Sequence, residues 1–184
     1  MLDFKFNDHF WTAPARFPEW AGFQTRLGPY GGISSDAPSD GTLTVTFAPE
    51  GRDEPPLTQA ELTLVQWLLD HHVEQSAAVL DGIWKEYPGL REPYGYSEAE
   101  LRLYMPELSS PEGFRTLIGL YSVNVHQLAK DGVPYIGYEF GCTWDDEHGL
   151  GVLMHGSRVV EVGDAHTAFL LWIAEQDAGI AAER

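Results

Sequence analysis

From residue 116 onward, apolar residues recur at every second position. Tyr121, Val123 and Val125 fall on one face. Ile136, Tyr138, Phe140, Cys142 and Trp144 share another, Leu150, Val152 and Met154 a third, and Val160 and Val162 a fourth. A period of two is that of a strand with one buried face. The links Lys130-Asp131-Gly132 and Gly156-Ser157 are short and turn-forming, so these segments are expected to form a four-stranded antiparallel meander. Upstream, TLTVTF at 42–47 alternates strictly, with Leu43, Val45 and Phe47 opposite three threonines. Leu2, Phe4 and Phe6 alternate as an edge strand would. Residues 28–41 are punctuated by glycine, proline, serine and aspartate and read as a loop.

Between these strand regions the period becomes helical. Thr58-Gln59-Ala60-Glu61 is a capping box, in which the threonine hydroxyl and glutamate carboxylate satisfy orphaned amides, and Leu57 and Leu62 stand where a hydrophobic staple would. Leu62, Val65, Leu69, Val73, Leu80 and Trp84 then predict a long helix to about Tyr87, stopped by Pro88-Gly89. Ser97-Glu98-Ala99-Glu100 repeats the capping box, with Tyr96 and Leu101 as staple, and opens a helix that Pro106 must end. Asp164 is placed to cap a last helix with Phe169, Trp172, Ile173 and Gln176 on the side facing the sheet.

The expected fold is therefore α+β: an antiparallel β-meander of about four to six strands carrying one long and two shorter helices. One domain over 1–184 is expected, with aromatic and proline-rich strands and a loop in 1–55, helices in 56–106, and the meander plus a helix in 107–184.

Charge narrows the range of partners. Eleven basic and 28 acidic residues give a net charge of -17, which repels nucleic-acid phosphates and anionic lipid. Nucleic acid and membrane are not expected as partners; the charge reads first as a solubility surface and second as an acidic face matched to a basic protein. The opening MLDFKFNDHF carries charge where a secretory leader needs an apolar core, and one cysteine cannot form an internal disulfide, so a cytoplasmic setting is expected.

The densest chemistry is FGCTWDDEHGLG at 140–151. Asp145, Glu147 and His148 offer hard oxygens and an imidazole that could hold a divalent ion, and Glu147 with His148 could share a proton in acid–base work. Adjacent residues seldom converge on one ion, and neither H-E-x-x-H nor paired C-x-x-C is present. The competing reading is a turn whose carboxylates cap backbone amides, with no cofactor. Cys142 points with Tyr138 and Phe140 toward the core among neighbouring acids, which raise a thiol pKa, so it is not read as a nucleophile. His155 falls on the opposite strand face from His148. Trp144, Asp145, Asp146, Glu139 and His155 are candidate binding residues. Glu139 lies between Gly137 and Gly141 on one face, while Gly149 and Gly151 thin the next strand. Such a stripped face invites another backbone to approach, with Glu139 paired to a basic residue. His9, His71, His72, His126 and His166 are read as packed or solvated.

The run from Val133 to Val152, with Cys142-x-Trp144-Asp145-x-Glu147-His148-Gly149-x-Gly151-Val152 at its centre, followed by His155-Gly156 and Val159-Val160, resembles a bacterial family of uncharacterised domains carrying this signature on a hairpin. The resemblance covers the C-terminal half and implies a hairpin-centred α+β fold. Such domains are similar in size and acidity to immunity proteins that neutralise toxins. Two functions are thus expected in order: a non-enzymatic, immunity-like domain binding a basic partner, or a metal-dependent hydrolase or ligand-binding enzyme using Asp145, Glu147 and His148.

Overall fold

The computed structural model describes residues 2–7, 9–27, 31–49 and 56–180. Nine strands occur among them: β1 (Lys5–Asn7), β2 (Phe10–Arg16), β3 (Thr25–Leu27), β4 (Gly32–Ser35), β5 (Thr42–Phe47), β6 (Ile118–Lys130), β7 (Val133–Cys142), β8 (Leu150–His155) and β9 (Arg158–Gly163). Seven form one sheet in the order β1-β2-β5-β6-β7-β8-β9, and β3 and β4 form a separate ribbon. The α+β class holds, and β6 to β9 form the expected antiparallel succession. The sheet as a whole is not a simple meander of four to six strands, because β5 and β6 run parallel. Parallel neighbours need a long crossover, and here it contains α1 (Gln59–Leu90) and α2 (Glu98–Tyr104).

Both capping boxes form, Thr58 with Glu61 and Ser97 with Glu100. Helix α1 runs past Pro88, and its buried face differs from the expected stripe: Val65, Leu68, Gln75, Ser76, Val79, Gly82, Ile83 and Tyr87 are buried, whereas Val73 is exposed. A polar exchange explains Gln75. Its carbonyl accepts from the Tyr138 hydroxyl (2.9 Å), and its amide donates to the Gly156 carbonyl (2.8 Å), so the side chain ties α1 to the sheet. Gly82 permits close approach, since a Cβ there would lie 2.5 Å from a Val159 methyl.

The α1-facing side of the sheet supplies Val45, Phe47, Val123, Val125, Ile136, Tyr138, Phe140, Val152 and Met154 to a single buried cluster that also takes in Trp11, Phe17, Trp20 and Phe114. Each such aliphatic or aromatic side chain contributes about 1.5–3 kcal/mol on burial. The N-terminal, helical and C-terminal segments thus all share this core. β1 is an edge strand, as expected, but it holds only Phe6 of the alternating Leu2, Phe4 and Phe6. β2 is less legible because Pro14 interrupts its pattern. Pro14 lies beyond the end of the β1 pairing, which stops at Thr12, where a missing amide is tolerated.

Three further expectations change. A register shift between Leu120 and Ser122 turns Tyr121 away from Val123 and Val125, because a bulge gives one strand an extra residue. A second irregularity, between β8 and β9, leaves Val160 out of register, so Val159 joins Val162 on the main core while Val160 packs with Tyr135 and Leu153. The stretch read as a loop over 28–41 contains β4, and residues 28–30 lie outside the described residues.

The end of the chain also differs. Asp164 caps a 3-10 turn, Ala165–Ala168, and not the helix itself; α3 (Leu171–Ala178) comes after Phe169 and Leu170. This break rotates the expected stripe. Leu171, Ile173 and Ala174 are buried, whereas Phe169 and Trp172 are exposed. Arg158 donates twice to Asp177 (3.0 and 2.6 Å), and the Tyr135 hydroxyl adds a third bond (2.7 Å), fastening α3 to the sheet. The Arg158 hydrogen bonds hold the Asp177 carboxyl down at about 2. No described helix is long and apolar enough to cross a membrane.

Candidate functional site

The acid-rich segment joins β7 to β8 as a closed turn. Asp145 Oδ1 accepts from the amides of Glu147 (3.2 Å) and His148 (2.8 Å) and lies 3.1 Å from His148 Nδ1. Its other oxygen accepts from the Tyr94 hydroxyl (3.1 Å). The Gly149 amide donates to the Asp145 carbonyl (3.0 Å), and Gly149 has φ 64°, a conformation that favours glycine. Tyr96 donates to the Trp144 carbonyl (2.7 Å) and Thr143 to the Tyr104 carbonyl (2.6 Å), so the segment after α1 grips the turn from outside. Burial and the nearby Asp145 charge push the Tyr94 hydroxyl well above its ordinary range.

The structure therefore brings Asp145 and His148 together, while Glu147 contributes its amide and leaves its side chain exposed. Asp146 projects outward, with Arg26 Nη1 3.7 Å from its carboxylate. Trp144 is buried edge-on against Tyr87, 5.7 Å between centroids. His155 lies at the far end of β8, stacked on Tyr135 with Nε2 3.1 Å from the Lys130 carbonyl. Cys142 is fully buried, and desolvation pushes its thiol up to about 12, an inert setting for a nucleophile. Among the described residues, no three histidine, cysteine, aspartate or glutamate side chains converge as a metal set.

A second locus lies on the sheet face opposite α1, and here the glycines matter. A Cβ on Gly137 would run into the Ala168 carbonyl, and one on Gly141 into the Gly31 carbonyl. The 3-10 turn thus seats on one side of Glu139, and the segment leading into β4 on the other. His126 fixes the first contact, its Nε2 2.9 Å from the Ala168 carbonyl oxygen. The expected close approach is present at the flanking glycines and leaves Glu139 half-buried between them. Glu139 faces a groove of about 620 Å³, which falls in the range of ligand-binding clefts.

Glu139 does not have the basic partner expected for it. Among the described residues no lysine or arginine forms an ion pair with it; the Tyr121 hydroxyl donates to Oε2 (2.9 Å) and the Asn124 amide donates to Oε1. Burial pushes the Glu139 carboxyl above the usual glutamate range, opposed by hydrogen bonds from Asn124, Tyr121 and Ser122 and by the charge of His166. Thr44, Thr46 and Ser122 extend the polar floor, with Thr46 Oγ1 3.3 Å from Ser122 Oγ. Phe10, Leu27 and Phe169 add apolar surface, and the last two are well exposed. Among the described residues no second carboxylate, thiol or imidazole is hydrogen-bonded to Glu139. The arrangement suits cation binding better than paired acid–base chemistry.

Sequence reasoning singled out Glu139 but missed Tyr121, Ser122 and Asn124. The signal for the last two was their alternation with Val123 and Val125; for Tyr121 the bulge concealed it. The three threonines of β5 were visible as a polar face without a purpose.

Comparison with known proteins adds one relationship. No curated protein and no solved structure matches the chain. A family model described as a domain of unknown function, DUF6985, matches residues 35–170, which include the acid-rich turn, Glu139 and both flanking glycines. The chain belongs to this family, the domains of unknown function DUF6985.

Proposed function

We propose that this domain is a non-enzymatic binding protein that engages a basic protein partner through the groove above Glu139, in the manner of the immunity proteins that neutralise toxins. The observation that carries the reading is a half-buried carboxylate at the floor of an open groove, without a lysine or arginine from the described chain. A net charge of -17 favours the same class of partner through long-range steering. The exposed aromatic Phe169 adds an apolar anchor of the kind found at interfaces. A bacterial, cytoplasmic setting fits this reading.

The alternative, a hydrolytic ion held by Asp145, Glu147 and His148, is less well supported. Asp145 Oδ1 already serves two amides of its own turn, and the Glu147 side chain points away into solvent. Affinity capture from a native bacterial lysate, with purification of each enriched protein and calorimetric binding to wild type and to Glu139→Gln, tests the proposal. A basic protein whose affinity falls steeply with salt and with Glu139→Gln is the expected result. Stoichiometric zinc, manganese or magnesium binding lost on His148→Ala, with no basic protein bound, would replace it by the metal reading.

A further inference from the structure

The groove carries enough detail to name the group it takes. We propose that Glu139 anchors one arginine side chain of the partner, whose guanidinium meets both carboxylate oxygens from the groove side. The assignment rests on the binding reading above.

Geometry comes first. Asn124 and Tyr121 each occupy one oxygen of Glu139 from within the protein, which locks the plane of the carboxylate. A carboxylate oxygen accepts about two hydrogen bonds; with the Ser122 hydroxyl turned to Thr46 Oγ1, 3.3 Å away, each retains an acceptor site. A planar fork of parallel N–H donors fills both together, whereas an ammonium is a point charge that meets them less well. Among the described residues the donors hydrogen-bonded to Glu139 are neutral, so they orient the carboxylate without cancelling its charge. A cation arriving there is attracted more strongly than at the open surface, because the surrounding dielectric is lower.

The groove lining agrees with this occupant. Phe10 and Phe169 offer aromatic surface for the guanidinium or its aliphatic stem. The hydroxyls of Thr44 and Thr46 can accept the remaining N–H groups. The groove, about 620 Å³, exceeds what one side chain fills, leaving space for the partner's backbone on either side of the arginine. Among the described residues the nearby Arg26 does not fill the role, since its side chain turns to Gln24, Gly31 and Asp146.

The test uses the whole chain and three blocked tripeptides, acetyl-Gly-X-Gly-amide with X arginine, lysine or citrulline, titrated by NMR into wild type, Glu139→Gln and Phe169→Ala. Near-UV circular dichroism confirms that each variant is folded, and the exposed Phe169 serves as the second probe of the groove. The arginine peptide is expected to bind wild type at least about tenfold more tightly than the citrulline peptide, and to lose about tenfold on Glu139→Gln. A several-fold preference over lysine and a smaller loss on Phe169→Ala are also expected. Equal binding of arginine and citrulline peptides, no effect of Glu139→Gln, or a preference for lysine would overturn the assignment. The two readings fail separately. A basic protein whose affinity falls on Glu139→Gln while the arginine peptide binds no better than the citrulline peptide removes the arginine anchor and leaves the binding function, whereas arginine-peptide binding at Glu139 without any protein partner does the reverse.

Discussion

Asp145 and Glu139 are both carboxylates held by a tyrosine hydroxyl, yet their surroundings differ in kind. Asp145 spends Oδ1 on amides within three residues of itself and Oδ2 on Tyr94. Its acceptors close a turn. Glu139 receives its hydrogen bonds from side chains on a neighbouring strand and looks onto an open groove. A cluster of acids with a histidine catches the eye in a sequence, but backbone amides nearby compete for it first. A single acid on a face cleared by glycines is quieter and better placed to meet a ligand.

Four substitutions and one pH comparison sharpen or break this contrast. The largest effect is expected at Gly137→Ala, which would force the Ala168 carbonyl off β7 and cost about 3 kcal/mol in urea unfolding. A tolerated alanine would mean that the slot around Glu139 is not built by backbone approach. Asp145→Ala removes two amide bonds and the Tyr94 bond from a side chain only 15% exposed. It should cost about 2–3 kcal/mol while leaving arginine-peptide binding unchanged; the reverse pattern would make the turn the functional locus.

The two tyrosines give a smaller, paired test. Tyr94→Phe should lower stability by about 1 kcal/mol with no effect on binding. Tyr121→Phe should lower stability by no more than that and weaken arginine-peptide binding, because the carboxylate loses one of the donors that orient it. The smallest effect is in the pH dependence. Burial raises the Glu139 pKa in the folded protein, so the unfolded chain releases this proton first and stability falls as pH rises from about 4.3 through the higher folded value. Thermal melts from pH 4 to 8 should show wild type losing ground to Glu139→Gln across that window. Among the described residues His166 and Tyr121 are the other titratable groups bearing on Glu139, so a difference that persists in a His166→Ala background assigns it to the carboxyl.

Much of the fold was legible because its signals are local. Two capping boxes, the alternation of TLTVTF and the succession β6 to β9 each arise from residues within a few positions of one another. The parallel β5–β6 pairing was not legible, since nothing in either strand names a partner 78 residues away. Bulges at Tyr121 and Val160 shift one residue and invert the facing of the positions beyond it, which a strict period of two misassigns. The buried Gln75 escaped because its value lies in a tertiary bond to Tyr138. At the site, the glycines announced a close approach correctly, but the identity of the approaching backbone and of the donors to Glu139 depended on the whole topology.

The most direct test is a chemical-shift map of the labelled protein titrated with the arginine tripeptide. Perturbations concentrated at Tyr121, Asn124, Glu139 and Phe169, with residues 144–149 unmoved, are the expected result. Shifts centred on Asp145, Glu147 and His148 instead would contradict the account and return the acid-rich turn to the centre of function.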